Sequence, residues 1–326
     1  MTFAMTCKIV FHANEHRDTD LVLNRVTEME FESSWKEMTD RGTLTLPRNI
    51  KFFDKNKIRD VFRKGDGLTI YFGYDGNNIK EFEGYITEVS ADIPIIIKFE
   101  DEMYKVRSIP VNFSSSNISL KELFKNIITG YETDVVDGVQ MGAVRYSNKN
   151  VGGVIDELQS NGFYTYMRGK TVVCGKYYSD DSKEDPVTFN LERNCVSTSL
   201  NYKRKDDIKI TITVTSTLSN GKKIVVENIG DKDGDIRKLT YNNIEVKAEL
   251  EKLGKREYDR IKVDKLEGSI TTFGIPSVRH GLKAKVVSNL YTDRNGLYYI
   301  EKVAKSFSSG GIRQEITFGE KVTTTV

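Results

Sequence analysis

Residues 207–218 place Ile208, Ile210, Ile212 and Val214 at every second position. A period of two lines these side chains along one face of an extended strand and would scatter them around a helix, so the segment reads as half-buried β-structure. Short runs of the same character fill the first hundred residues, at 4–11, 20–31, 42–46, 67–73, 80–90 and 93–100. Turn chemistry separates them. Asp75-Gly76 supplies the positive φ of a tight hairpin between two runs, and Pro47, which has no N–H, ends the pairing of Thr43-Leu44-Thr45-Leu46.

The rhythm changes after residue 103. Ser119 with Glu122 three residues on is a capping box, and Leu120, Leu123, Phe124, Ile127 and Ile128 mark one face of the helix that follows, which Gly130 stops. A second helix is predicted over 151–160, with Asn161-Gly162 as its stop. Strand-like 163–167 and 171–174 then flank the turn Arg168-Gly169-Lys170, before the charged stretch 179–186. From Leu191 strands return, interrupted by one helix over 245–258 and resuming at 268–273, 282–288, 296–306 and 311–318. The expected fold is mainly β with a small α+β insert, divided as 1–103, 104–190 and 191–326.

The two β regions share a pattern. Gly67, Leu68, Tyr85, Ile86 and Val89 recur as Gly281, Leu282, Tyr299, Ile300 and Val303 at a constant offset of 214. Each copy has a glycine entering a strand, a turn, a return strand with Tyr-Ile, and one further strand holding Phe99 or Phe318. Equal register would put Ile86 and Ile300 on the same face, because a slip of one residue turns a whole strand over.

A chain of 326 residues is long enough for more than one core. No apolar run is long enough to span a bilayer, and the first twenty residues lack the pattern of a secretory signal, so synthesis in the cytosol without membrane anchoring is expected. The net charge of +2 hides an asymmetry of −3, −2 and +7 over 1–100, 101–190 and 191–326. The basic residues of the last third are interspersed with acidic ones, which argues against sequence-specific nucleic-acid binding. Cys7, Cys174 and Cys195 have no CxxC spacing and read as reduced thiols. Asp231, Asp233 and Asp235 begin like a calcium loop, but position 12 is Asn242 and the glycine stands at position 4, so a solvated turn is expected. Val151-Gly152-Gly153 and Ser309-Gly310-Gly311 fit no nucleotide loop, and no nucleophile elbow, HExxH or Cys/His pairing is present. No catalytic residue, cofactor or metal is expected; Trp35 and the tyrosines read as core or interface.

Three stretches resemble the phage tail baseplate hub proteins, the late control protein D-like family related to the N-terminal hub part of type VI secretion spike proteins. The first runs from Trp35 through Gly42-Thr43-Leu44-Thr45-Leu46-Pro47-Arg48, with Phe62-Arg63-Lys64-Gly65-Asp66 and Phe82-Glu83-Gly84-Tyr85-Ile86. The second is Val154-Ile155-Asp156-Glu157-Leu158 with Gly162-Phe163-Tyr164 and Gly169 to Gly175. The third is Gly268 to Gly281, holding Phe273-Gly274-Ile275-Pro276, followed by Gly296-Leu297-Tyr298-Tyr299-Ile300 and Gly311-Ile312-Arg313. The family-like motif residues are thus Pro47, Gly67, Gly84, Tyr85, Gly268, Gly274, Pro276, Gly281, Gly296, Tyr299 and Gly311.

The resemblance implies two tube-like β-barrel domains per subunit and a structural, non-catalytic hub. It implies a homotrimeric ring in a virion tail baseplate or related contractile injection system, joining a sixfold tail tube protein to a threefold spike. The chain ends at Val326 without a following OB-domain and β-helix, so the spike is expected to be a separate polypeptide. DNA could pass through the bore, and the basic last third could flank it. Two other readings stay open: a tail-associated carbohydrate-binding or glycan-hydrolysing protein, and a monomeric β-rich binding module.

Overall fold

A computed structural model describes residues 4–47, 61–91, 93–178 and 185–322; Arg48 and residues 179–184 of the charged stretch lie outside them. The first unit is built from β1 (Met5–Phe11), β2 (Leu21–Leu23), β3 (Glu28–Ser34), β4 (Arg41–Thr45), β5 (Gly67–Tyr74), β6 (Asn77–Val89) and β7 (Ile96–Glu100). The run read at 20–31 is therefore two strands. Asp75 and Gly76 both have positive φ, 53° and 82°, which is the geometry that turns β5 directly into β6. After β4 the Leu46 N–H still donates to the Ile95 carbonyl, 2.9 Å away, and pairing stops at Pro47. The strands lie antiparallel in the order β2-β1-β5-β6-β7-β4-β3, and alternate residues such as Ile9, Leu44, Leu68, Ile70 and Ile97 are fully buried in one core.

Next come the short helix α1 (Met103–Val106), β8 (Pro110–Ser119), α2 (Leu120–Ile127), β9 (Glu132–Val135), β10 (Gln140–Asn150), α3 (Val151–Ser160), β11 (Thr165–Arg168) and β12 (Thr171–Cys174). The capping box forms in full: Ser119 Oγ accepts from Glu122 N–H at 3.3 Å, and Glu122 Oε2 from Ser119 N–H at 3.1 Å. Such a cap is worth about 1 kcal/mol. Strands β8 and β10 carry no clear strand signature, because serine- and asparagine-rich segments such as Phe113-Ser114-Ser115-Ser116 lack the apolar alternation that marks a strand.

The second β region opens with β13 (Val187–Asn190) and β14 (Cys195–Lys203), and then departs from expectation. Strands β15 (Ile210–Thr217), β16 (Lys223–Gly230) and β17 (Asp235–Asn242), with helix α4 (Lys247–Ile261), join the middle unit. They form the sheet β16-β15-β17-β10-β8, in which β17 runs parallel to both β15 and β10. Ile212, Val214, Leu250 and Leu253 share a core with Leu123, Ile155 and Val172. The middle unit is thus discontinuous in sequence, a correction to 191–326 as a single final domain. Alternation shows that Ile210, Ile212 and Val214 are buried, but it does not show in which sheet.

The chain then completes the second unit with β18 (Lys265–Phe273), β19 (Lys283–Val287), β20 (Gly296–Ser308) and β21 (Gly311–Lys321). Strand β20 pairs with β3, so both β units belong to one sheet of 13 strands, and the ladders described do not close either unit on itself.

Candidate functional site

The defining feature is the duplicated five-strand unit and the joint between its copies. One copy runs β3-β4-β7-β6-β5 and the other β14-β18-β21-β20-β19, antiparallel throughout. A row of facing residues, Met29, Leu44, Ile97 and Val89, has its counterpart in Thr198, Ile270, Ile316 and Val303. Ile86 faces Phe99 as Ile300 faces Phe318, and both ladders carry an irregularity at the next residue, Thr87 or Glu301. Ile86 and Ile300 are both fully buried. The sequence repeat is therefore a structural one.

Its glycine correspondence shifts by two residues. Gly65 N–H donates to the Ile86 carbonyl at 2.7 Å and Gly281 N–H to the Ile300 carbonyl at 2.8 Å, so Gly281 matches Gly65, while Gly67 matches Lys283. Gly65 and Gly281 also share a positive φ, 93° and 83°. The sequence signal was present in Gly65-Asp66-Gly67, where two glycines competed for one role.

The other motif residues serve close packing. A Cβ on Gly84 would lie 2.0 Å from the Glu100 carbonyl oxygen, one on Gly268 1.9 Å from that of Ser199, and one on Gly274 2.2 Å from Ile312 Cγ2. Gly296 lies against the Tyr298 ring, and Gly311 has φ 117° in the β20–β21 hairpin. The Pro276 carbonyl accepts from Gln314 Nε2 at 2.6 Å. Tyr85 donates to Glu102 at 2.9 Å, whereas Tyr299 stacks on Tyr178 with ring centroids 4.1 Å apart. Gly67, Gly84 and Tyr85 lie on β5 and β6 and Pro47 just beyond β4, while the remaining seven belong to the second unit or its loops, so they form no single pocket.

The joint itself pairs Lys302 to Phe307 of β20 with Ser34 to Met29 of β3. Across its solvent side runs a trough of about 600 Å³ lined by alternating charges from Glu30, Glu32, Arg41, Lys98, Arg313 and Glu315. Some of these side chains are tied to neighbours. Glu32 accepts from Arg41 at 3.2 Å and from Lys302 at 2.5 Å, which holds its carboxyl below the usual range, and Glu315 accepts from Ser269 Oγ at 2.6 Å. Acidic and basic side chains in equal number line this wall, which leaves it with little net field.

Where the three units meet, Trp35, Tyr166 and Val173 form a small core with Tyr164, Tyr177 and Tyr178 around it, as an interface role for these aromatics requires. His280 lies there too, its Nδ1 2.6 Å from Ser33 Oγ and its ring edge-on to Tyr166. Burial of the ring, with Arg168 and Arg279 nearby, pushes the imidazole down to about 3. Asp40 bonds Ser33, not His280, so the order of groups is not that of a base-activated nucleophile. Asp231, the first residue of the calcium-like stretch, has its carboxylate bound by the Ile210 N–H and Lys262 Nζ. Among the described residues no group of three or more His, Cys, Asp and Glu is placed to hold a metal, and no helix is long and apolar enough to cross a membrane.

No family model matches the chain, and no curated protein matches it in sequence. Solved structures do. A tail protein from Neisseria meningitidis MC58 is similar with a TM-score of 0.66 at 13% identity, over 97% of both chains. The 43 kDa tail protein of prophage MuSo2 from Shewanella oneidensis has a TM-score of 0.61 at 14% identity, over 98% of this chain and 97% of its own. An E. coli component of the type VI secretion system, itself described as structurally similar to T4 bacteriophage tail proteins, has a TM-score of 0.55 at 14% identity, over 92% of this chain and 74% of its own. The chain shares the β-rich fold of these phage tail and type VI secretion proteins.

Proposed function

We propose that the chain is a non-catalytic structural subunit of a tail-type injection machine, a baseplate hub of which three copies close a ring. The observation that carries this is the duplicated five-strand unit with matched register, joined edge to edge through β3 and β20. One chain then contributes two similar units in succession, and three chains contribute six. Such a ring would meet a sixfold tail tube on its pseudo-symmetry and a separate threefold spike on its true symmetry. A joint of this kind uses different surfaces on its two sides and so propagates head to tail until it closes. The balanced charges of the trough suit a wall past which DNA or other polar cargo slides without being captured. The motif residues serve as packing and turn positions of the two units.

Native mass spectrometry over a range of concentrations, alone and with the cognate spike, tests the proposal. Three subunits are expected; a persistent monomer with spike bound overturns it. A glycan-degradation assay is expected to show no turnover, and turnover would revive the hydrolytic reading.

A further inference from the structure

Strand β14 is the terminal strand of the 13-stranded sheet, and among the described residues its one strand partner is β18. Its counterpart β3 has both edges filled, by β4 and by β20. The difference shows in burial. Met29 and Phe31 of β3 are buried, while at the matching positions of β14 Thr198 is exposed and Leu200 only half-buried. An open edge of this length is a template for another strand unless it is covered. The complementary element exists in the first unit. Strand β20 is paired to β19 as far as Tyr299 and then, from Lys302, to β3. Strand β6 is paired to β5 as far as Tyr85, and among the described residues no strand pairs with the same edge at residues 87–89.

We infer that the free edge of β14 pairs antiparallel with the 87–89 end of β6 in a second copy of this chain, Lys203 facing Glu88 and Tyr202 facing Val89. The register is carried over from the internal joint, where Lys302 faces Ser34 and Val303 faces Ser33. It rests on the ring reading above and specifies its subunit contact. The chemistry agrees: the carried-over register sets a cation opposite an anion and a β-branched side chain opposite an aromatic one, both favourable cross-strand pairs. The contact is also shorter than the internal one, since β20 runs on to Ser308 while β6 ends at Val89. The ring therefore alternates long joints within chains and short joints between them, and it parts between copies.

Facing residues of antiparallel strands lie about 4.5–5.5 Å apart at Cα, within disulfide reach. In a Cys195→Ser background, the pair Val89→Cys and Tyr202→Cys should give covalent dimers and trimers on mild oxidation. Either single variant should give none, nor should Val89→Cys with Val225→Cys on the distant β16. Independently, Glu88→Lys or Lys203→Glu should lower the trimer fraction severalfold at fixed concentration, and the double swap should restore it. A trimer by native mass with neither cross-link nor charge-swap rescue overturns this pairing and leaves the ring standing. Absence of any trimer, with or without spike, overturns the ring and this contact with it.

Discussion

Lys305 on β20 and Glu81 on β6 meet as an ion pair that almost no water reaches, their side chains 8% and 2% exposed. Ser277 completes the group, its Oγ accepting from Lys305 Nζ at 2.6 Å and donating to Glu81 Oε2 at 3.0 Å. The pair fastens the second β unit to the first beside the β3–β20 joint. Burial lowers the Lys305 ammonium from its ordinary range and the Glu81 carboxylate opposes that. Removing one partner leaves a buried charge alone, so Lys305→Met should destabilise the protein by about 3–5 kcal/mol in urea unfolding. Lys305→Met with Glu81→Met should recover most of that loss, because two apolar side chains need no compensation. A double variant as unstable as the single would refute the account.

Gly65 and Gly281 hold equivalent left-handed positions, whereas Gly67 has ordinary φ and room for a Cβ, the nearest atom being 3.6 Å away. Gly65→Ala and Gly281→Ala should each cost about 1–2 kcal/mol. Gly67→Ala should stay within about 0.5 kcal/mol of the parent, or stabilise it slightly by restricting the unfolded chain. Thermal melts of the three variants check the pairing of Gly65 with Gly281; a large loss at Gly67 alone would restore the sequence alignment.

Asp40 and Asp101 lie together beneath the joint of the first and middle units. Burial raises the Asp40 carboxyl to about 7, and burial followed by the Asp40 charge raises Asp101 as well. A raised folded-state pKa contributes stability that is complete below the unfolded value, about 4, and lost as pH climbs to the folded one. Asn at position 40 keeps an oxygen for the Ser34 N–H, which Asp40 Oδ1 accepts at 3.3 Å. The melting temperature of Asp40→Asn relative to the parent should therefore rise steadily between about pH 4 and pH 8, reaching a gain of a few degrees. A constant offset across that range would show that Asp40 does not titrate there.

Asp231 is already bound to Lys262 and to the Ile210 N–H. Adding calcium or a chelator should leave the melting temperature within about 1 °C, because a ligand that binds only the folded state would raise it with concentration. A calcium-dependent rise abolished by Asp231→Ala would identify a site there after all.

Local physics was legible in the residues alone. Asp75-Gly76 specified its hairpin because few pairs tolerate positive φ, Ser119 and Glu122 specified a helix start because their side chains bond the nearest backbone groups, and period-two runs marked Leu68, Ile86 and Ile300 as buried. The repeat was legible in part, since Tyr85, Ile86 and Val89 do match Tyr299, Ile300 and Val303, while the glycine and leucine coincidences fall two residues out of register. What the sequence did not carry was partnership between distant edges. A strand's backbone N–H and C=O groups are the same whichever neighbour they meet, so nothing in β3 or β20 announced their joint. Nor did Ile210, Ile212 and Val214 announce that they belong in the sheet of β10 and not in that of β18. Those choices follow from which surfaces remain uncovered once every unit has folded, and only the tertiary structure decides them.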